Sequence, residues 1–169
     1  MSETLLALRQ EFDRSFAQAP RMETARAESF LAVRVGADAY ALRVAEIGGL
    51  FTDRRIMPLP TPMPELLGVA GFRGQIAPVY DLAALLGYAR QTAPRWLILA
   101  RLREPVALAF DTFEAHFSAL PERIIAAEGK GAGRRHLGSA VRTDDAVRPI
   151  IQLQSLLEDI QLRANSFTR

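Results

Sequence analysis

The sequence of 169 residues contains no cysteine, only two histidines and a single lysine, Lys130. The absence of cysteine excludes disulfides, thiolate nucleophiles, zinc ribbons and iron–sulfur clusters, and it is typical of proteins in a reducing compartment. His116 and His136 occur in unrelated contexts, and no HxxxH or HxxE spacing joins them. The sequence therefore predicts no metal site and no cofactor.

Motifs of catalysis and of membrane insertion are absent as well. No GxGxxG, GxxxxGK[ST] or G-x-S-x-G segment occurs, so neither a phosphate-binding loop nor a nucleophile elbow is indicated. No apolar run reaches the roughly 18 residues of a transmembrane helix, and no signal-peptide core follows a basic start. We expect a cytoplasmic, non-enzymatic protein without direct membrane insertion and without catalytic residues.

The charges are numerous but nearly balanced. Lys and Arg total 21 against 19 Asp and Glu, a net charge of +2, although the calculated pI is about 9.5. Basic residues are interleaved with acidic ones, whereas nucleic-acid-binding proteins cluster them on one face. A nucleic-acid-binding small barrel is thus an alternative suggested by the pI alone, and the lack of an aromatic-plus-basic strand face argues against it.

Residues 4–18 have the pattern of an amphipathic helix that ends before Pro20. Residues 20–28 are short and polar, so residues 1–28 are expected to form a helical extension and a linker. The helix either packs on its own domain or docks onto a partner. Its apolar stripe consists of Leu5, Leu8, Phe12 and Phe16.

From residue 29 onward, short apolar runs alternate with turn residues. Hairpins are predicted at 30–44, 66–82, 95–113 and 136–153, with Arg73-Gly74 as one of the tight turns. About eight to ten strands at spacings of about ten residues are typical of sandwiches and small barrels. Asp81 and Asp111 follow strands and are expected to hold turns or cap helices. A closing amphipathic helix is predicted at 155–164, with Ser155 as its candidate cap.

One segment is more specific than these patterns. LLGVAGFRGQIAPVYDLAALLG (66–87), together with YALRVAEI (40–47) and MPLP (57–60), resembles the CheW-like domain of bacterial chemosensory coupling proteins. That family has the approximate pattern Gly-Val-x-Asn-Leu-Arg-Gly-x-Ile-x-Pro-Val-x-Asp-Leu, closed by Leu-Gly. The matching residues here are Gly68, Val69, Arg73, Gly74, Ile76, Pro78, Val79, Asp81, Leu82, Leu86 and Gly87. The resemblance continues through 106–113 and 148–158, and it covers about residues 29–160.

The resemblance implies an all-β fold of two intertwined five-stranded SH3-like barrels that share a core, with short N- and C-terminal helices. Residues 29–160 would form this CheW-like domain, and residues 161–169 a C-terminal tail. It also implies a scaffold that joins the cytoplasmic tip of a methyl-accepting chemoreceptor to the regulatory domain of a CheA-type histidine kinase. Such a protein would work at membrane-associated receptor arrays.

Two other functions within this family are compatible with the sequence. An accessory coupling protein of a specialised pathway is suggested by the extension at 1–28 and by departures from the family pattern. These departures are Gly71, Phe72, Phe113 and Gln152. An isolated regulatory domain of a kinase is the other alternative, and the absence of kinase motifs argues against it.

The resemblance assigns site residues in two groups. Phe72, Arg73 and Gly74 would belong to the kinase interface, because the matching Arg of the family contacts the kinase. From the residues alone, Arg73 could equally be a solvated turn residue. The receptor or partner groove would include Val44, Glu46, Ile47 and Phe113. Glu46 could instead cap a helix, and Val44 and Ile47 could instead belong to the core.

Overall fold

The computed structural model describes residues 26–90, 92–127 and 135–168. The predicted N-terminal helix with Leu5, Leu8, Phe12 and Phe16 lies outside these residues. The described chain is mostly β-structure, so the predicted all-β fold is confirmed. Its strands divide six to five between two mixed sheets, where five and five were expected.

Sheet 1 has six strands in the order β8-β1-β2-β11-β10-β9. Its strands are β1 Glu28–Val35, β2 Asp38–Arg43, β8 Thr112–Ala119, β9 Ile124–Ala126, β10 Ser139–Arg142 and β11 Val147–Ile150. Sheet 2 has five strands in the order β3-β6-β7-β5-β4. Its strands are β3 Ile47–Thr52, β4 Leu66–Phe72, β5 Gln75–Asp81, β6 Trp96–Ala100 and β7 Ala107–Phe110. The α-helices are α1 Leu82–Leu85 and α2 Leu153–Phe167, and 3₁₀ turns occupy Val44–Glu46 and Pro121–Arg123.

The two sheets are intertwined along the chain. The chain builds β1 and β2 of sheet 1, then all of sheet 2, and then returns to complete sheet 1. The return is closed by β11, which pairs parallel to β2 through Ile150 and Ala41. Sheet 1 is therefore built from two separate segments of the chain, whereas sheet 2 is the continuous segment 47–110 between them.

The strands are apolar on both faces because each face meets a different core. In β7, Leu108 and Phe110 face a core shared by both sheets and α2, while Ala107 and Ala109 face a cluster within sheet 2. In β1, Leu31 belongs to the shared core and Phe30 to a separate cluster within sheet 1. Two-sided burial explains why these strands read as apolar runs without polar alternation.

Helix α2 covers one end of the shared core with an apolar stripe of Leu153, Leu156, Leu157 and Ile160. It begins two residues before the predicted start and continues to Phe167. The prediction of Ser155 as its cap is wrong, because Gln152 precedes the first helical residue. The Ser155 hydroxyl instead lies 2.9 Å from Nδ1 of the buried His136.

The two aspartates that follow strands act as predicted. Asp81 caps α1, because its carboxylate accepts a hydrogen bond of 3.0 Å from the Ala83 amide. The same carboxylate pairs with Arg90 at 2.8 Å. Asp111 holds the turn between β1 and β2 by accepting a hydrogen bond of 3.1 Å from the Gly36 amide. Asp81 thus acts locally, whereas Asp111 stabilises a turn that lies 75 residues away in the sequence.

Candidate partner-binding surface

The turn between β4 and β5 is formed by Arg73 and Gly74, whose backbone φ angles are 47° and 81°. Positive φ at both central residues is the pattern of a type I′ turn, which matches the twist of a two-residue hairpin. Gly74 adopts it without strain. Arg73 does so at a cost of roughly 1–2 kcal/mol, because its Cβ crowds the backbone. The backbone therefore carries strain at a residue expected to meet the kinase.

The hairpin tip packs against β3, the strand at the opposite edge of sheet 2. The rings of Phe72 and Phe51 lie 5.0 Å apart at an angle of 62°. The Arg73 guanidinium carbon lies 5.6 Å from the centroid of the Phe51 ring. The two edge strands of sheet 2 are thereby brought together, as in a closed barrel.

A second arginine packs on the ring of Phe51. The guanidinium carbon of Arg54, which follows β3, lies 4.9 Å from the same ring centroid. Gly49 leaves the room for this ring, because a Cβ atom at that position would come within 2.8 Å of it. No sequence pattern predicts this cluster, because the contact between Phe51 and Arg73 depends on which strand edges of the sheet meet.

The structure separates the three residues predicted at the kinase interface. Arg73 and Gly74 are exposed, and so is Ile76, at 74%. Phe72 is only 1% exposed and belongs to the core of sheet 2, so it cannot offer its ring to a partner. Its place in the predicted interface is corrected: it supports Phe51, which in turn contacts Arg73.

Glu46 lies in the 3₁₀ turn that leads from sheet 1 to sheet 2. Its carboxylate accepts a hydrogen bond from the backbone N–H of Leu153, the first residue of α2. Burial raises the pKa of Glu46, and nearby Arg43 and the Leu153 amide oppose this only in part. The other carboxylate oxygen, Oε2, is buried without a hydrogen-bond partner among the described residues. Glu46 therefore caps a helix and still has an acceptor to offer.

A cleft of about 150 Å³ opens beside Glu46, between the 3₁₀ turn, the end of β6 and the start of α2. Arg101 and Leu102, both exposed, belong to its lining. The sequence reasoning missed both residues, since they lie in an irregular segment after β6. The full lining is Ala45, Glu46, Ala100, Arg101, Leu102, Leu153, Gln154 and Leu157.

The other predicted groove residues do not gather around this cleft. Ile47 is 7% exposed and lies in the shared core, so its assignment to a groove is corrected. Val44 is half-buried against the same core. Phe113 pairs with Val33, whereas Arg43, next to Val44, pairs with Phe30. These positions lie about 10 Å apart along β1, and the Phe113 ring packs instead against Trp96, 5.2 Å away.

The acidic and histidine side chains do not form a metal centre in the part of the chain that the structure describes. His136 is buried, and its Nε2 lies 3.6 Å from the Asp159 carboxylate on α2. Burial lowers the pKa of His136, with Asp159 acting in the opposite direction. Its contacts to Ser155 and Asp159 attach α2 to the loop before β10, which is a structural role.

Comparison with known proteins identifies the family to which this chain is similar. The model of the CheW-like domain matches residues 29–161. The fold is similar to the crystal structure of the scaffolding protein TtCheW from Thermoanaerobacter tengcongensis, with a TM-score of 0.68 and 19% sequence identity. That match covers 75% of this chain and 89% of TtCheW. No match was found among curated proteins.

The matched region contains both sheets and the start of α2, which is most of the chain. Within the residues described, no helix is both long enough and apolar enough to cross a membrane. The chain therefore belongs to the CheW-like domain family, a family of scaffolding and coupling proteins in bacterial chemotaxis signalling.

Proposed function

We propose that this protein is a cytoplasmic, non-enzymatic adaptor that couples chemoreceptor tips to the regulatory domain of a CheA-type histidine kinase. The observation that carries the proposal is Arg73, which a strained turn and an aromatic ring hold at the surface. No carboxylate among the described residues pairs with it. An exposed arginine held in one place at such a cost is typical of a binding residue.

The kinase side of the adaptor would be the tip of the β4–β5 hairpin. Arg73 supplies a planar group with five donors, and Ile76 supplies an exposed apolar contact beside it. Gly74 keeps the tip narrow, because it adds no side chain next to Arg73. This combination of an apolar contact with one oriented arginine matches the make-up of interface hot spots.

The receptor side would be the cleft at Glu46. The cytoplasmic tip of a chemoreceptor would have to present a side chain that fills an apolar cleft and donates to a carboxylate. The free Oε2 of Glu46 supplies the acceptor, and Leu102 and Leu157 supply the apolar walls. Val44 belongs to the same 3₁₀ turn as Glu46, and Phe113 would serve only a partner large enough to span both places.

The test is calorimetric titration of the full chain with the regulatory domain of the cognate kinase. We expect Arg73→Ala to lose about 2–4 kcal/mol of binding free energy, or roughly 30- to 1,000-fold in affinity. Arg142→Ala is the matched control, because Arg142 is exposed at the end of β10 in the other sheet. Equal affinities of the wild type and Arg73→Ala would refute the assignment of Arg73 to the interface.

An accessory role remains a second candidate, and Gly71 favours it. The family pattern has Asn at this position, two residues before the contact arginine, whereas Gly71 offers no side chain. The position is exposed, and a Cβ atom there would meet nothing within 4 Å. Gly71→Asn should therefore fold normally. A clear gain in kinase affinity in that variant would indicate that the natural chain binds more weakly than a main coupling protein.

A further inference from the structure

Two arginines without a carboxylate partner converge on one ring at the edge of sheet 2. The guanidinium carbons of Arg54 and Arg73 lie 4.9 and 5.6 Å from the centroid of Phe51. Both distances fall within the range of cation–π attraction, about 6 Å. One aromatic ring thus contacts two positively charged groups. Like charges repel each other, and a bound anion would offset that repulsion.

Five further described arginines also lack a carboxylate partner, namely Arg26, Arg55, Arg101, Arg103 and Arg142, but none of them packs on an aromatic ring. Other arginines meet a carboxylate at 2.6 to 3.1 Å: Arg34 and Arg148 at Glu114, Arg43 at Glu28, Arg90 at Asp81, Arg95 at Asp53, Arg123 at Asp144 and Arg163 at Glu65. The acid next to Arg54 is Asp53, and its carboxylate is already bound by Arg95 and Thr52. Among the described residues, no acidic side chain forms an ion pair with Arg54 or Arg73.

The backbone gives an independent indication at the same place. Among the described residues, only two that are not glycine have positive φ: Asp53 at 53° and Arg73 at 47°. One precedes Arg54 directly and the other is Arg73 itself. Strained backbone of this kind persists where the surrounding structure enforces it, and it concentrates at ligand-binding sites. Here it lies at Arg73 and at Asp53, the residue directly before Arg54.

We propose that Arg54, Phe51 and Arg73 form a clamp for one carboxylate side chain, an Asp or Glu on the surface of the kinase regulatory domain. The carboxylate would bridge the two guanidinium groups. Arginine forks suit a carboxylate because two parallel N–H donors meet its two oxygens. The inference rests on the proposed function for the identity of the partner, and it adds Arg54 and Phe51 to the binding site.

The roles of the three residues differ. Arg54 and Arg73 contact the partner, whereas Phe51 is a positioning residue that keeps their guanidinium groups in place. The clamp therefore predicts that each arginine matters less once the other is gone. It also predicts that lysine cannot replace Arg73, because an ammonium retains the charge but loses the fork.

The first experiment needs no kinase. The Nε–Hε signals of Arg54, Arg73 and Arg142 are followed by NMR while the peptide acetyl-Glu-Leu-Glu-amide is added to the full chain. We expect the signals of Arg54 and Arg73 to shift together and that of Arg142 to stay in place. Phe51→Leu should reduce both shifts while thermal unfolding remains cooperative. Equal responses at all three arginines would overturn the clamp.

The second experiment measures kinase affinity by calorimetry. We expect Arg54→Ala to weaken binding about tenfold, and Arg54→Ala with Arg73→Ala to lose less than the product of the single losses. Arg73→Lys should lose nearly as much as Arg73→Ala. An Arg54→Glu variant should recover to within about threefold of wild-type affinity when one Glu of the kinase domain is changed to Arg. Full additivity, or no rescue at any acidic position of the kinase domain, would overturn the clamp.

The two experiments separate the possible failures. Kinase binding without a shared shift at Arg54 and Arg73 would leave the adaptor function standing and remove the clamp. A shared shift without any kinase binding by the wild type would keep the carboxylate site and overturn both the kinase as its partner and the proposed function.

Discussion

The hydroxyl of Tyr40 in sheet 1 lies 2.5 Å from the hydroxyl of Tyr88, which follows α1 on the side of sheet 2. Tyr88 donates its own proton to the Asp38 carboxylate, so Tyr40 must be the donor to Tyr88. The Tyr88 ring also fills the space beside Gly36, where a Cβ atom would come within 2.7 Å of it. These contacts attach the β1–β2 hairpin of sheet 1 to the loop that follows α1.

We expect Tyr88→Phe to lower the free energy of unfolding by about 1–2 kcal/mol, because Tyr40 loses its acceptor and Asp38 its donor. Burial and the bonds to Asp38 and Tyr40 raise the pKa of Tyr88, so it remains a donor at neutral pH. Urea unfolding measures the effect. Tyr80→Phe is the control, since Tyr80 is buried but makes no side-chain hydrogen bond among the described residues. Equal losses of unfolding free energy in the two variants would show that the hydrogen bonds of Tyr88 do not stabilise the fold.

A second prediction concerns pH. Burial lowers the pKa of His136 below its ordinary value of 6.5. The unfolded chain therefore binds the proton more readily, and stability falls as the pH drops from 6.5 toward the lowered pKa. His136→Gln should reduce the loss of unfolding free energy between pH 7.5 and 5.5, whereas His116→Gln, at an exposed position, should leave it unchanged. An identical loss in all three proteins would contradict the assignment.

Local chemistry was the predictable part of this fold. The turn at Arg73-Gly74 and the cap by Asp81 depend on residues close in sequence or on the conformational preference of one residue type. Asp111 has the residue type of a turn, but the Gly36 amide that it binds lies 75 positions away in the sequence, so this partner could not be predicted. The cluster of Phe51, Arg54 and Arg73 depends on which strand edges meet, and no spacing encodes that. Phe72 and Ile47 were misplaced for a related reason: matching a family motif does not show which face of a strand its residues occupy.

The start of α2 was mispredicted for a different physical reason. Ser155 has the residue type of a cap, but the helix already begins at Leu153, where the Glu46 carboxylate accepts the free amide. A cap supplied from a distant turn leaves no trace in the local sequence. The same contact joins the proposed receptor cleft to the helix.

Two glycines of the matched motif should respond differently to alanine. Gly68 has a φ of 145°, and a Cβ atom there would lie 2.0 Å from the Met57 carbonyl oxygen. That carbonyl accepts from the Val69 amide at 2.9 Å, so the neighbouring backbone cannot move away freely. We expect Gly68→Ala to lose roughly 3 kcal/mol or more. Gly74→Ala should lose only about 1 kcal/mol, since φ is 81° but the space is open. Thermal unfolding of both variants measures these losses. A larger loss for Gly74→Ala than for Gly68→Ala would contradict the close packing at Gly68.

We expect Glu46 to lower the free energy of unfolding at neutral pH while it contributes to binding of the receptor tip. Its pKa is raised by burial, so its protonated form favours folding below the unfolded value of 4.5, and this stability is lost as the pH rises through the folded pKa. Glu46→Gln should therefore raise the melting temperature at pH 7.5, and the gain should shrink toward pH 4.5. The same variant should weaken binding to the receptor tip, because an amide presents a donor where Oε2 presents an acceptor. Glu122→Gln, at an exposed position, is the control. A variant that is less stable at pH 7.5 would show that helix capping outweighs the cost of burial.

The predicted N-terminal helix can be tested by truncation, and the structure sets where to cut. Strand β1 begins at Glu28, whose carboxylate pairs with Arg43 at 2.6 Å, so the deletion should end at residue 25 and leave this pair intact. The described members of the shared core and of the two smaller clusters all lie after that point. We therefore expect the chain without residues 1–25 to unfold cooperatively and to bind the kinase domain with unchanged affinity.

If the apolar stripe of Leu5, Leu8, Phe12 and Phe16 serves a partner, the truncated chain should bind the receptor tip differently. Phe12→Asp with Phe16→Asp in the full chain is the milder variant and should reproduce that change. A truncated chain that aggregates, or a double variant that loses several kcal/mol of unfolding free energy, would instead show that the stripe packs on the barrels as part of their core.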